Sequence, residues 1–275
     1  MEHIKLNNGV CMPALMLGTF PMKGWAAMKT VFLAAKYGYT GFDTASAYDN
    51  ERYIGRSIKC FFIKRENIFI TTKVSNRAQR TGNIRKALES SLKSLKTDHV
   101  DLYLMHWPNP DTYIETWRQM EDLYENGLCR AIGVSNFNEH HLDKLLSIAR
   151  ITPAVNQFEI HPLLSQKKLI NYCKSLGIAT QAYSPLARMD DRLMKNKTIL
   201  DISEKYNAPP TQIILRWDYQ CGNAVVCKTQ NPARLKSNID IFNFTISQED
   251  IEKIDALNAD IRVRHDPDNC DFSKL

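Results

Sequence analysis

The sequence alternates between short apolar runs and stretches with helical periodicity, and this alternation restricts the possible folds more than any other feature. Eight apolar runs of strand length can be read, and helix-like stretches separate them. They end at Leu17, Asp43, Lys73, Met105, Val134, Phe158, Tyr183 and Lys228. Strands that alternate with helices form parallel sheets, and eight of them predict an α/β fold, the (β/α)8 TIM barrel. A doubly wound open sheet is the alternative.

The beginning of the chain differs from this pattern. Residues 1–11 read as a β-hairpin with Asn8-Gly9 as a two-residue turn, and we expect it to close the bottom of the barrel. No change of composition, internal repeat or low-complexity tract divides the 275 residues. We therefore predict a single barrel domain over residues 1–275, which is long enough to bury a large core.

The composition argues against several classes of protein. Hydrophobic residues make up 44% and charged residues 24%, and no stretch resembles a secretion signal or a membrane span, so we expect a cytoplasmic protein without a membrane partner. The net charge of +6 is spread among acidic residues, which argues against nucleic acid. Seven scattered cysteines without a C-x-x-C pair indicate reduced thiols and no metal site. We expect a monomer with a small-molecule partner.

Three successive predicted strands end in or near ionisable residues. Asp43 ends one strand with Tyr48 in the loop beyond, Lys73 ends the next, and His106 directly follows the third. A tyrosine has a pKa of about 10, so it can act as an acid at neutral pH only beside a positive charge. Lys73 can supply that charge, and Asp43 can hold Lys73. Alone, each residue has an ordinary structural explanation, but four groups that depend on one another chemically favour catalysis.

These residues lie in segments that resemble the signature blocks of the aldo-keto reductases. The segments are Gly41-Phe42-Asp43-Thr44-Ala45 with Tyr48, Thr72-Lys73, Leu104-Met105-His106-Trp107-Pro108, Gly133-Val134-Ser135-Asn136-Phe137, Asn156-Gln157-Phe158-Glu159-Ile160-His161-Pro162 and Ala182-Tyr183-Ser184-Pro185-Leu186. The resemblance runs from about Leu6 to Phe272. It implies an NADPH-dependent reductase of small aldehydes or ketones, including sugar-like ones, of the short-tailed small-carbonyl and diketogluconate-reductase type.

The resemblance also implies roles for individual residues. Asp43, Tyr48, Lys73 and His106 would be catalytic, with Tyr48 as the general acid, and Tyr48, His106 and Trp107 would contact the substrate. Cofactor contacts would come from Gly18, Thr19, Phe20, Asp43, Ser135, Asn136, Gln157, Tyr183, Ser184, Pro185, Leu186, Lys228, Thr229, Arg234 and Asn238. Further side chains expected near the substrate are Met22, Trp25 and Arg188, and Arg264 or Arg188 would favour an acidic substrate.

The adenosine-phosphate segment departs from the family at two positions. Cys227 stands where the family usually has proline, and Ser237 where it usually has glutamate. Lys228 and Arg234 would still fit the 2′-phosphate of NADPH. We expect NADPH as the cofactor, with NADH possible.

Other functional classes fit the sequence less well. A cofactor-binding regulatory subunit without turnover has no need of an acid. A metal hydrolase using His106 and Asp43 would need a second strand-end histidine. Gly133-Val134-Ser135 lacks the second glycine of a nucleophile elbow. We expect His140 and His141 to be surface residues rather than metal ligands.

Overall fold

The computed structural model describes residues 2–272 and 274. Eight parallel strands form a closed barrel, because Ala224–Cys227 pairs with both Leu15–Gly18 and Ala179–Tyr183, which confirms the predicted TIM barrel and excludes the open sheet. The barrel strands, in the order of their pairing, are β3 Leu15–Gly18, β4 Gly41–Asp43, β5 Phe69–Val74, β6 Leu102–Met105, β7 Ile132–Ser135, β8 Val155–Glu159, β9 Ala179–Tyr183 and β10 Ala224–Cys227.

Helices connect these strands. They are α1 Gly24–Lys36, α2 Glu51–Cys60, α3 Asn76–Thr81, α4 Ile84–Leu95, α5 Tyr113–Glu125, α6 Glu139–Leu146, α7 Lys167–Ser175, α8 Asp191–Met194, α9 Lys197–Lys205, α10 Pro210–Gln220, α11 Pro232–Ile239 and α12 Gln248–Asp255. The sequence pattern had not indicated α3, whose six residues lack apolar periodicity. No helix in the described part of the chain has the length and apolar character needed to cross a membrane.

The amino-terminal hairpin pairs β1 His3–Lys5 with β2 Cys11–Pro13, and Met1 lies outside the described residues. The backbone N–H of Leu6 donates to Val10 O at 2.8 Å, so the loop has three residues and not the predicted two. Gly9 completes this loop with φ of +86°, a conformation that glycine adopts without steric cost. The loop is tied to the barrel because the side chain of Asn8 donates to Arg130 O at 2.9 Å.

The hairpin closes one end of the barrel interior. Leu6 and Met12 belong to the same buried cluster as Met16, Leu104 and Val226, which fill the space between the strands. A second and larger apolar cluster lies mainly between the strands and the surrounding helices. Because apolar side chains fill the closed end, the polar groups of the barrel collect at the carboxyl ends of the strands, where ligands of such barrels bind.

Asn50 precedes α2, where an asparagine is expected to cap the helix, but its side chain has a different role. It lies just before α2, but its side chain makes no hydrogen bond to the first turn of that helix. Instead, its amide donates to Thr19 O at 2.9 Å, and its carbonyl oxygen accepts the hydroxyl of Thr44 at 2.6 Å. The residue is fully buried. Asn50 therefore joins the ends of β3 and β4 at the rim.

Candidate active site

The carboxyl ends of the barrel strands open into a cleft of about 830 Å³, a volume within the usual range of ligand sites. Every residue predicted for the site lines this cleft except Lys73, which lies beneath it against Asp43. Of the other side chains expected near the substrate, Arg188 and Arg264 line the cleft. Met22 is buried in the outer core, and Trp25 packs against Phe61 on the outside of the barrel. The expectation is therefore wrong for Met22 and Trp25, neither of which lines the cleft.

Asp43 and Lys73 form a buried ion pair at the rim. Lys73 Nζ lies 2.6 Å from Asp43 Oδ1 and also donates to Thr44 O at 3.0 Å. Both residues are at most 3% exposed. Burial alone would lower the pKa of Lys73, but the neighbouring Asp43 and Tyr48 outweigh it and the pKa is raised. Lys73 therefore carries a full positive charge directly below the cleft.

Tyr48 lies at the end of a short 3-10 turn, Ser46–Tyr48, and three side chains surround its ring. Lys73 Nζ is 5.2 Å from the ring centroid, the His106 ring is 5.6 Å away edge-on, and the Phe20 ring is 4.9 Å away. Burial raises the pKa of the phenol, and the charge of Lys73 opposes that rise without cancelling it. The phenol thus keeps its proton at neutral pH, beside a cation that favours its loss.

His106 follows β6 and is neutral at physiological pH. Burial lowers its pKa to about 3, and the positive charges of Lys73 and Arg264 act in the same direction. Asn136 donates from Nδ2 to the backbone carbonyl of His106 at 2.9 Å, which ties the end of β6 to the end of β7. A neutral imidazole beside a phenol can offer a hydrogen bond to a carbonyl oxygen.

A connected set of amides and hydroxyls lies beside this group on β7, β8 and β9. Ser135 Oγ donates to Gln157 O at 2.8 Å, and Tyr183 OH donates to Asn136 Oδ1 at 2.6 Å. Gln157 Nε2 donates both to Asp43 Oδ2 at 2.8 Å and to Gln181 Oε1 at 2.6 Å. These bonds hold polar groups and the half-buried ring of Tyr183 at the wall of the cleft, where a flat amide-bearing ring can be held.

The same cleft also carries positive charge. Lys228 and Arg234 are exposed, and neither side chain makes an ion pair or hydrogen bond within the described residues. Asn231 caps α11 by accepting the N–H groups of Ala233 and Arg234. The two unpaired cations line the same cleft as Tyr48 and His106, and they fit a long anionic ligand such as a dinucleotide.

Comparison with known proteins agrees with this geometry. The model of the aldo/keto reductase family matches residues 14–259. The chain belongs to the aldo/keto reductase family. The family match and the similarity to the carbonyl reductases described below identify this chain as an NAD(P)H-dependent carbonyl oxidoreductase.

Three similar proteins illustrate the relationship. Glyoxal reductase of Bacillus subtilis (strain 168) is 48% identical over 98% of both chains. Methylglyoxal reductase DkgA of Escherichia coli O157:H7 is 39% identical over 96% of both. Among solved structures, MGS-M4, an aldo-keto reductase enzyme from a Medee basin deep-sea metagenome library, superimposes with a TM-score of 0.95 at 41% identity, covering 98% of this chain and 99% of its own.

The two departures from the family pattern have structural consequences in this aldo/keto reductase. Cys227 is buried, and Asn238 Nδ2 lies 3.3 Å from its Sγ, so the thiol fixes a residue predicted to contact the cofactor. Gln212 donates to both the carbonyl and the hydroxyl of Ser237. Neither residue introduces a charge that would oppose an anionic ligand.

Sequence analysis did not assign a role to Glu159. This fully buried residue accepts the backbone N–H groups of Val263 at 2.7 Å and Arg264 at 3.2 Å, and it lies 3.0 Å from His161 Nε2. Glu159 therefore anchors the carboxyl-terminal tail against β8. No local motif could indicate this, because the bonded amides follow more than a hundred residues later and any residue type supplies them.

His140, His141 and Asp268 form a group whose ligand atoms lie within 4.8 Å of one another. His141 Nδ1 accepts the backbone N–H of Asn138 at 3.1 Å, so the neutral ring carries its proton on Nε2, which faces Asp268 at 3.6 Å. A metal on Nε2 would require moving that proton to Nδ1 and breaking the bond to Asn138. The arrangement suits polar contacts that attach the carboxyl-terminal tail to α6 better than it suits a metal site.

Proposed function

We propose that this protein reduces small aldehydes or ketones with NADPH and that Tyr48 is the general acid. The observation that carries the proposal is the position of the Tyr48 ring, 5.2 Å from the ammonium of Lys73 and 5.6 Å from the ring of His106. The named activities of the glyoxal and methylglyoxal reductases support a small carbonyl as substrate. We propose that sugar-like carbonyls of similar size are also reduced.

In this proposal Tyr48 and His106 bind the carbonyl oxygen. Neutral His106 donates a hydrogen bond that orients the carbonyl and stabilises the negative charge that develops on its oxygen. Tyr48 transfers its phenolic proton to that oxygen. Lys73, held by Asp43, stabilises the resulting phenolate by its charge. The nicotinamide, when bound, supplies the hydride.

The cofactor would lie along the cleft. Ser135, Asn136 and Gln157 would hold the carboxamide, and Tyr183 would pack against the nicotinamide ring. Lys228 and Arg234 would bind the 2′-phosphate, which supports NADPH over NADH. Other proposed contacts come from Gly18, Thr19, Phe20, Asp43, Ser184, Pro185, Leu186, Thr229 and Asn238. We further propose that residues 1–275 act as one domain and that the protein is a cytoplasmic monomer.

The decisive experiment separates proton transfer from cofactor binding. Tyr48→Phe should lower kcat for methylglyoxal at least about a thousandfold, because it removes the acid, while the NADPH dissociation constant, from fluorescence titration, stays within about threefold. Tyr53→Phe is the matched control, since Tyr53 lies on α2, outside the cleft, where its hydroxyl contacts Arg52.

Near-normal turnover by Tyr48→Phe would refute the assignment of the acid. A wild-type protein that binds NADPH but reduces no member of a panel of aldehydes and ketones would instead favour the non-catalytic alternative.

A further inference from the structure

Gln157 and Gln181 lie side by side on neighbouring barrel strands. They are register partners on β8 and β9, and both residues are buried. Gln157 lines the cleft, whereas Gln181 does not. Gln181 therefore lies behind a predicted cofactor contact, and a fully buried polar side chain in such a position calls for a partner and a reason.

The orientation of the Gln157 amide follows from Asp43. The carboxylate of Asp43 is paired with the Lys73 ammonium at 2.6 Å and can only accept hydrogen bonds. The atom of Gln157 that lies 2.8 Å from Asp43 Oδ2 must therefore be the Nε2 donor. The same Nε2 also donates to Gln181 Oε1 at 2.6 Å. Both hydrogens of the Gln157 amide are thus used inside the barrel.

The orientation of the Gln181 amide follows in turn from Gln157. Its Nε2 donates to Met16 Sδ at 3.2 Å and lies 3.6 Å from Met12 Sδ, and both methionines belong to the apolar cluster inside the barrel. A reversed Gln181 amide would place its NH2 group against the NH2 group of Gln157, and two donors cannot bond to each other. Because thioethers are weak acceptors, the contact with Gln157 decides the orientation.

These bonds leave Gln157 with only an acceptor for the cleft. Its Oε1 makes no hydrogen bond within residues 2–272 and 274, and Gln157 is part of the cleft lining. A ligand group that bonds to this oxygen must be a donor. The carboxamide NH2 of a nicotinamide is such a group.

We propose that Gln181 is a positioning residue, which accepts the second amide hydrogen of Gln157 and thereby keeps the carbonyl oxygen of Gln157 directed at the carboxamide NH2 of the cofactor. This inference rests on the proposed reductase function and specifies how the site selects the cofactor ring. Asp43 alone would hold one hydrogen of Gln157 and leave the amide free to turn about that bond. With Gln181 present the amide is held at two points.

The test compares NADPH with its reduced acetylpyridine analogue, in which a methyl group replaces the carboxamide NH2. Fluorescence titration gives both dissociation constants, and the ratio of the analogue's constant to that of NADPH measures the selection. The wild-type protein should bind the analogue at least about 10-fold more weakly, because a buried acceptor loses its donor. Gln181→Leu should reduce this ratio to less than about threefold, and Gln157→Leu should do the same.

Two further variants separate the orientation of Gln157 from a general loss of packing. Gln181→Glu keeps an oxygen acceptor beside Gln157, so the ratio should stay within about twofold of the wild-type value. Thr180→Val removes a buried hydrogen bond to Asn223 Oδ1 at 2.6 Å from the opposite face of the same strand, and it should leave the ratio unchanged. Thermal unfolding checks that each variant is folded.

The inference is overturned by a wild-type ratio in folded Gln181→Leu, by an equal loss in Thr180→Val, or by loss of the ratio in folded Gln181→Glu. If Gln181→Leu does not fold, the ratio of Gln181→Glu decides. A loss in Gln157→Leu without one in Gln181→Leu would refute this inference alone. A wild-type protein that binds both cofactors equally would also refute the proposed carboxamide contacts, and one that binds neither would refute the proposed function.

Discussion

Gln157 Nε2 lies 2.8 Å from Asp43 Oδ2, so a glutamine on β8 and a lysine on β5 bind the two oxygens of one carboxylate. Asp43 is therefore bonded on both sides, by a predicted cofactor-binding residue and by the cation next to Tyr48. A substitution of Gln157 or Lys73 should therefore also affect the other residue through the shared carboxylate, because buried hydrogen-bonded groups of this kind act as a network.

The Asp43–Lys73 pair gives the first prediction. Asp43→Asn leaves the Lys73 ammonium buried without an anion, and we expect the free energy of unfolding to fall by about 3–5 kcal/mol. Turnover should fall at least about tenfold, because a lysine that loses its counterion becomes less able to stay charged beside Tyr48. Urea denaturation measures the first effect, and kcat with methylglyoxal measures the second.

The double variant Asp43→Asn with Lys73→Met separates the two effects. It removes both charges, so stability should recover in part while turnover stays low. Recovery of turnover together with stability would mean that the pair only supports the fold.

The pH dependence of the reaction should show no ionisation of His106 between pH 5 and 8. Its pKa is lowered to about 3 in the folded protein, against about 6.5 in an unfolded chain. The value of kcat/KM for a neutral aldehyde should therefore stay level through pH 6.5. A bell-shaped or sloping profile with an apparent pKa near 6.5, absent in His106→Gln, would contradict this.

The lowered pKa of His106 also affects the stability of the folded protein. Between pH 6.5 and 3 the unfolded chain binds a proton at His106 that the folded protein does not, so this residue lowers the free energy of unfolding progressively as the pH falls. Urea titrations at pH 7 and pH 5 should show a smaller loss on acidification for His106→Gln than for the wild-type protein.

Cofactor preference should depend on Lys228 and Arg234, the two unpaired cations that line the cleft. We expect Lys228→Met with Arg234→Gln to raise the dissociation constant of NADPH about 10- to 100-fold, because two charge-assisted contacts to phosphate are lost. NADH binding should change little. Lys236→Met, an exposed residue on the same helix, is the control. Equal weakening for NADH would place the two cations on a phosphate that both cofactors share.

Gly55 is required for the contact between α2 and α4. A Cβ at this position would lie 2.5 Å from both Leu95 C and Ser94 O, which are backbone atoms that cannot rotate away. Gly55→Ala should destabilise the protein by about 1–3 kcal/mol through overpacking, measured by thermal or urea unfolding. Arg56→Ala, at the exposed next position, should change stability by less than about 0.5 kcal/mol. Unchanged stability of Gly55→Ala would show that the two helices can separate freely.

The sequence predicted the barrel and the composition of its rim because both depend on local patterns. An apolar run indicates a strand, and the residue that ends it, such as Asp43 or Lys73, indicates a polar group at the rim. The structure brings these residues together, and their catalytic roles remain predictions. The buried network around Asn50 and Thr19 could not be inferred, because an asparagine before a helix looks the same whether it caps that helix or bonds a neighbouring strand.

The attachment of the tail has a consequence for how this enzyme can change. Glu159 holds the tail through the main-chain amides of Val263 and Arg264 and makes no use of their side chains. The attachment of the tail at these positions therefore does not depend on which side chains they carry. Residue 264 can be exchanged for a neutral, acidic or bulky side chain without loosening the loop that presents it, which makes this position a natural starting point for redirecting the enzyme to other carbonyl compounds.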